Sequence, residues 1–292
     1  MTHYEILVGR FRSPFGYFVG KVSDQGLKLI INFLERKMNL ISKALLPLIL
    51  TVSFMLHADD HVQQAPNLFP LETLQCNFNE NKDIDDLNKL KGEWNKFVQE
   101  NDDVTYASWI VTPMYRSASD FTNDIAWLGV SPNWTSFGSG YDAWFNKAGK
   151  LASKFNDVYT CATQQLFAAQ MVRQSKSTSD SGVMMVSNCS LINDATLLDV
   201  AAADQKWNKY LDSQGSEGAI IRWYPGPGTP TDLDYSFKYV TTAPSWTSWG
   251  ESSEAFVNGG GLMKQQEIFG NIVSCDSARF YVINAYGGQS QN

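Results

Sequence analysis

Histidine is almost missing from this 292-residue chain: His3, His57 and His61 are the whole supply, all near the amino terminus. A Ser-His-Asp site, a histidine-ligated haem and a histidine-rich zinc or iron centre are therefore excluded from everything downstream of His61. Cysteine is scarce too. The four present, Cys76, Cys161, Cys189 and Cys275, contain no C-x-x-C pair, so no metal site is expected. No phosphate-binding loop occurs, and "NGGGL" at Asn258–Leu262 reads as a helix-breaking loop. Positive charge is also short. Residues 1–58 hold seven Lys/Arg against three Asp/Glu, so the overall net charge of −7 leaves −11 on residues 59–292. So acidic a chain repels phosphate backbones and anionic membranes, and no nucleic-acid partner is expected. Long apolar runs are missing as well: Ala44–Leu56 contains Pro47 and falls short of the ~20 residues of a membrane helix.

That short run has the parts of a secretory signal instead. From Met38, Lys43 gives a basic start, Ala44–Leu56 an apolar centre, and Ala58 a small residue before the acidic Asp59. Residues 1–58 are expected to be a leader, with 38–58 the signal peptide and 1–37 the product of a misassigned start. The alternative is an unusually long basic segment ahead of the signal. The mature protein would be periplasmic or secreted, with no membrane span after cleavage. In that oxidising compartment four cysteines read as two structural disulfides.

What the chain does have is a second copy of itself. Cys76, Trp94, Pro113, Asp120, Pro132, Trp134 and Cys161 recur in order as Cys189, Trp207, Pro225, Asp232, Pro244, Trp246 and Cys275. The wording repeats too: "WNKF" at Trp94–Phe97 returns as "WNKY" at Trp207–Tyr210, and "PNWTSFG" at Pro132–Gly138 as "PSWTSWG" at Pro244–Gly250. A unit of about 100 residues is domain-sized, well above the roughly 20–50 of solenoid repeats. The expected division is a first repeat at 71–172, a linker at 173–182 and a second repeat at 183–288. Because each unit had to make its own bond before duplication, the pairing expected is Cys76–Cys161 and Cys189–Cys275.

Each copy opens with an alternating strand that puts Leu74, Cys76 and Phe78 on one face. A helix follows on Leu87, Leu90, Trp94 and Phe97, matched by Val200, Ala203, Trp207 and Tyr210, with Asp83 and Thr196 as N-caps. Strands at Tyr106–Thr112 and Asp124–Val130, a helical stretch and a last strand at Leu166–Val172 complete the unit. In the second copy these fall at Gly218–Tyr224, Ser236–Thr242 and Phe280–Tyr286. The order is β-α-β-β-α-β, a ferredoxin-like α+β unit. Helices cover one sheet face, yet Ala107, Trp109 and Val111, or Ala219, Ile221 and Trp223, make the other apolar too. Two such sheets should pack face to face.

In that order, and in "WTSFGSGYDAWF" (Trp134–Phe145) and "WTSWGESSEAFV" (Trp246–Val257), the chain resembles the dimeric α+β barrel group with its antibiotic-biosynthesis-monooxygenase-like domains. The resemblance covers about 76–172 and 189–286, and it implies a barrel formed within one chain. That group includes cofactor-independent oxygenases and haem-handling enzymes. What it implies here is a small-molecule-binding protein, with cofactor-independent oxidative chemistry as the enzymatic form; no cofactor is expected. The alternative is a non-catalytic envelope or stress-related interaction protein. The protein would be a monomer or a homodimer.

The ligand would be small and apolar or aromatic. Trp109, Trp134, Trp223, Tyr239 and Trp246 are the ring-bearing candidates to line its site. Arg222 and Lys238 stand where the first copy has Ile110 and Ala126, on neighbouring strands. One reading of the two cations is solvent-facing charge on a tilted sheet edge; the other, if a site exists, places it in the second repeat around them, holding an anion or carboxylate.

Overall fold

The computed structural model describes residues 67–288, apart from 103, 118, 120 and 178. The expected leader and all three histidines lie outside the described residues. The elements run β1 (Leu68–Phe78), α1 (Ile84–Gln99), β2 (Ala107–Tyr115), β3 (Ile125–Val130), α2 (Trp134–Lys147), α3 (Gly149–Val158) and β4 (Tyr159–Arg173). The same order then returns as β5 (Ser181–Leu191), α4 (Leu197–Ser213), β6 (Ile220–Pro225), β7 (Phe237–Ala243), α5 (Trp246–Val257), α6 (Gly261–Phe269), β8 (Val273–Cys275) and β9 (Arg279–Gly288).

Local chemistry sets the helix starts. Asp83 accepts from the backbone N–H groups of Asp85 and Asp86, and Thr196 forms a reciprocal capping box with Asp199. The repeated "PNW" and "PSW" are caps as well. Asn133 and Ser245 accept from Ser136 and Ser248 N–H at 2.8 and 3.0 Å and so fix where α2 and α5 begin.

All strand pairings are antiparallel. In the first half β1 lies between β3 and β4, and β3 pairs with β2. In the second half β5 lies between β7 and β9, and β7 pairs with β6. The sheets were expected to pack face to face as a barrel within one chain. They also join edge to edge, β2 with β9 and β4 with β6, which closes an eight-stranded barrel. Closure removes the four free edges whose N–H and C=O groups would otherwise lack partners. Eight strands leave an interior that side chains can fill. Leu71, Val111, Phe167, Ala169, Trp223 and Val240 fill it here.

The repeated Trp-Asn dipeptide explains how each long helix is fixed to a seam. Trp94 and Trp207 enter the cores under their helices. The next residue ties the helix to the crossing strand: Asn95 Oδ1 accepts from Gly288 N–H at 3.2 Å, and Asn208 Nδ2 donates to the Val172 carbonyl at 2.9 Å. Tyr286 of β9 reaches into the first repeat's core and donates to the Leu87 carbonyl at 2.6 Å.

The disulfides pair as expected, Cys76–Cys161 and Cys189–Cys275. Cys161 was expected just ahead of the last strand, but β4 begins at Tyr159, so each bridge joins register partners on adjacent strands. In the second half the strand is broken after Cys275. There the Asp276 carboxylate takes over a ladder position by accepting from Asn188 N–H at 2.8 Å. Among the described residues no helix is long and apolar enough to cross a membrane.

Candidate ligand-binding site

Strand alternation puts Glu72 on the same face of β1 as Leu74 and Cys76, under the helices of the first half. A carboxyl on that face is out of place: Glu72 is only 8% exposed. The chain meets its needs with hydroxyl groups. Tyr106, at the approach to β2, donates to Glu72 Oε1 at 2.7 Å, and Tyr141 of α2 donates to Oε2. Tyr106 in turn accepts from Trp127 Nε1 at 2.7 Å. The relay runs from indole through phenol to carboxyl.

Gly129 makes the relay possible. A Cβ there would sit 1.6 Å from the Tyr106 hydroxyl, so the phenol crosses β3 only because that position is bare. The second copy reverses the choice, with Gly218 aligned to Tyr106 and Thr241 aligned to Gly129.

Around the carboxyl is a cavity of about 130 Å³, lined chiefly by aromatic rings and containing no Lys, Arg or His. Phe137, Gly140, Tyr141 and Trp144 recur at helical spacing, so one face of α2 forms its cover. Trp94, Trp127, Phe155 and Tyr159 form the floor and walls. Among the described residues the indole N–H of Trp94 has no hydrogen-bond partner.

Burial raises the affinity of Glu72 for a proton above the ordinary carboxyl value, against the opposing hydrogen bonds from Tyr141 and Tyr106. The three tyrosines shift upward as well. Desolvation is the largest cause for Tyr106, Tyr141 and Tyr159, and the Glu72 charge adds to it. All three are therefore phenols, donors and not phenolates. The arrangement is a desolvated proton acceptor in an apolar pocket with fixed donors behind it, which can bind a polar group of a ligand or take a proton from it.

Arg222 and Lys238 were expected to share a site, and the structure does not bring them together. They sit on neighbouring strands, but Arg222 pairs in register with Tyr239 and Lys238 with Trp223, so their side chains leave opposite faces. Arg222 lies under the helices, 2% exposed, with Nη1 and Nη2 each 2.9 Å from the two carboxylate oxygens of Asp204. Burial works against its charge, and the carboxylate overrides that and holds the guanidinium above its ordinary value. Its charge is already matched. The aligned positions in the first half are Lys91 and Ile110, so the cation–carboxylate pair belongs to the second half alone.

Lys238 faces the barrel interior with Trp223, Gln75, Gln165 and Arg279, around a cavity of about 140 Å³. It donates to Asn188 Oδ1 at 2.7 Å. Burial first, then repulsion from Arg279, lowers its ammonium to about 8. Tyr239 lies with Arg222 under the helices, and Trp109 packs inside the barrel. Trp134 and Trp246 open their helices half-exposed. Trp134 donates to the Leu68 carbonyl at 3.2 Å, and Trp246 stacks on Phe280.

Glu72, Tyr106 and Tyr141 were absent from the sequence candidates. A signal was present: Glu72 stands two residues before Leu74 on a face otherwise apolar, where the other copy has Met185.

The order and register of the strands define an α+β barrel protein with two ferredoxin-like halves in one chain. No family model matches the chain, and no curated protein matches it. Solved structures similar to it include an anthrone oxidase-like protein, at TM-score 0.44 and 11% identity over 77% of this chain and 95% of that one. A dye-decolorizing peroxidase from Bacteroides thetaiotaomicron matches at TM-score 0.42 and 9% identity, over 74% and 93%. A chlorite dismutase variant from Candidatus Nitrospira defluvii matches at TM-score 0.43 and 7% identity, over 77% and 94%.

Proposed function

We propose that this chain is a periplasmic or secreted protein that binds a small aromatic or apolar molecule in the pocket beneath α2, with the molecule's polar group on Glu72. The observation that carries this reading is a carboxyl kept in an aromatic pocket without a basic partner. Leaving it there costs stability that an apolar residue, as at Met185, would not cost. The two disulfides support the oxidising address.

Trp94, Trp127 and Trp144 line the pocket, so a bound ring reports on itself by quenching their fluorescence. Titration with 2-naphthol, a flat phenol whose hydroxyl can donate to Glu72, should give saturable quenching in the wild type. Gly140→Phe, which fills open space under the cover without meeting any neighbour within 4 Å at Cβ, should abolish it. Absence of saturable quenching in the wild type, or its survival in Gly140→Phe, refutes the assignment. Glu72 is also the base that oxidative chemistry without a cofactor would need first. Oxygen uptake with the bound compound, lost in Glu72→Gln, separates an oxidative enzyme from a binder.

A further inference from the structure

The chemistry of the pocket narrows its ligand further, on the premise that the pocket beneath α2 is the binding site. We infer that the group received by Glu72 is an organic ammonium, the size of a trimethylammonium or pyridinium head, seated among the rings with its charge against the carboxylate.

Charge balance is the first argument. The large buried cations have carboxylate partners: Arg222 donates two hydrogen bonds to Asp204, and Arg173 forms an ion pair with Asp212. Glu72 has two phenol donors, which satisfy hydrogen-bonding geometry but bring no positive charge. A buried carboxylate in that position either takes a proton or takes a cation. A cationic ligand supplies what the protein leaves out.

The walls give the second argument. Trp94, Trp127, Trp144, Tyr106, Tyr141 and Tyr159 surround the same space, and the π-faces of such rings attract ammonium groups, most strongly when water is excluded. A pocket meant only for an apolar ring would be served as well by aliphatic walls and would have no use for the carboxyl.

Size is the third. The cavity, about 130 Å³, is close to the ~150 Å³ void that holds one benzene ring, a space that a quaternary or aromatic ammonium head fills. The unpartnered Trp94 N–H further favours a ligand with a nearby hydroxyl or carbonyl acceptor. The barrel interior shows the opposite preference, since Lys238 and Arg279 line its cavity and would repel the same cation.

Choline and its uncharged isostere 3,3-dimethylbutan-1-ol differ by the charge alone. Isothermal titration calorimetry of the purified full chain should show choline binding at least about tenfold more tightly than the isostere. Glu72→Gln keeps the acceptor and the shape but not the charge, and should erase that preference. Tyr141→Phe, which removes a donor and no charge, should keep the preference and so distinguishes lost charge from a damaged fold. An isostere that binds as tightly as choline, or a preference that survives in Glu72→Gln, overturns the ammonium assignment. Binding of 2-naphthol without choline overturns it and leaves the pocket reading standing. If neither binds, both fall.

Discussion

Arg222→Ile tests the reasoning most severely, because alignment alone recommends it: Ile is the residue of the other copy at that position. If Arg222 faced a ligand, this change would remove an unneeded buried charge and leave stability unchanged or improved. The structure predicts the reverse. Two hydrogen bonds of 2.9 Å join Arg222 to Asp204, and side-chain exposure is 2% for the arginine and 9% for the aspartate. Removing the arginine strands a carboxylate in a low-dielectric interior, which costs about 3–5 kcal/mol. For a domain of this size that corresponds to a melting temperature lower by roughly 6–20 °C. Replacing both partners, Arg222→Ile with Asp204→Ala, removes the stranded charge and should recover most of the loss, since apolar replacements of buried pairs are often neutral. Urea denaturation of the wild type, both single variants and the double variant gives the coupling energy directly. A single Arg222→Ile variant within about 1 kcal/mol of wild type would refute the argument that the pair is desolvated and mutually dependent.

Four further outcomes are expected. Gly129→Ala should displace the Tyr106 phenol, lower stability by about 1–3 kcal/mol and weaken 2-naphthol quenching, as measured by thermal melts and titration. For Glu72, a folded-state proton affinity above the unfolded value of 4.5 means that its contribution is intact below that value and is lost as pH rises through the folded value. Glu72→Gln should therefore melt at or above wild type at pH 7, with the gap closing toward pH 4; a gap that widens on acidification is the contrary result. Lys238 shifts the other way, so the wild type should gain stability relative to Lys238→Met between its folded value of about 8 and its unfolded value of 10.5. Finally, residues 183–292 alone would expose the barrel face and the edges of β6 and β9. They should dimerise or aggregate, and a cooperatively folding monomer by sedimentation would contradict the closed barrel.

Much of the architecture was legible in the residues because it rests on periodicity and on repetition. The duplication named the two halves, the alternation at Leu74, Cys76 and Phe78 gave a strand with one buried face, and the spacing around Trp94 and Trp207 gave the long helices. Equivalent placement of the cysteines was enough to choose the pairing among three. These signals are local, or are comparisons of the chain with itself, and need no knowledge of distance. Seam formation was not legible. The hydrogen bonds that join β2 to β9 and β4 to β6 are made by backbone groups that every sequence carries, so nothing in the side chains announces them.

The site divides along the same line. A sequence shows that Arg222 and Lys238 are cations aligned with apolar residues; it does not show that pleating sends them to opposite faces, or that Asp204 from a helix eighteen residues earlier meets the first of them. Nor does it join Glu72, Tyr106, Trp127 and Tyr141, which lie on three strands or their approaches and a helix, up to 69 residues apart. Composition and repetition determined which groups were available and how many halves would hold them. Which carboxyl was left without a cation, and which rings surround it, was decided only when closure of the barrel and docking of α2 brought distant positions within hydrogen-bonding reach.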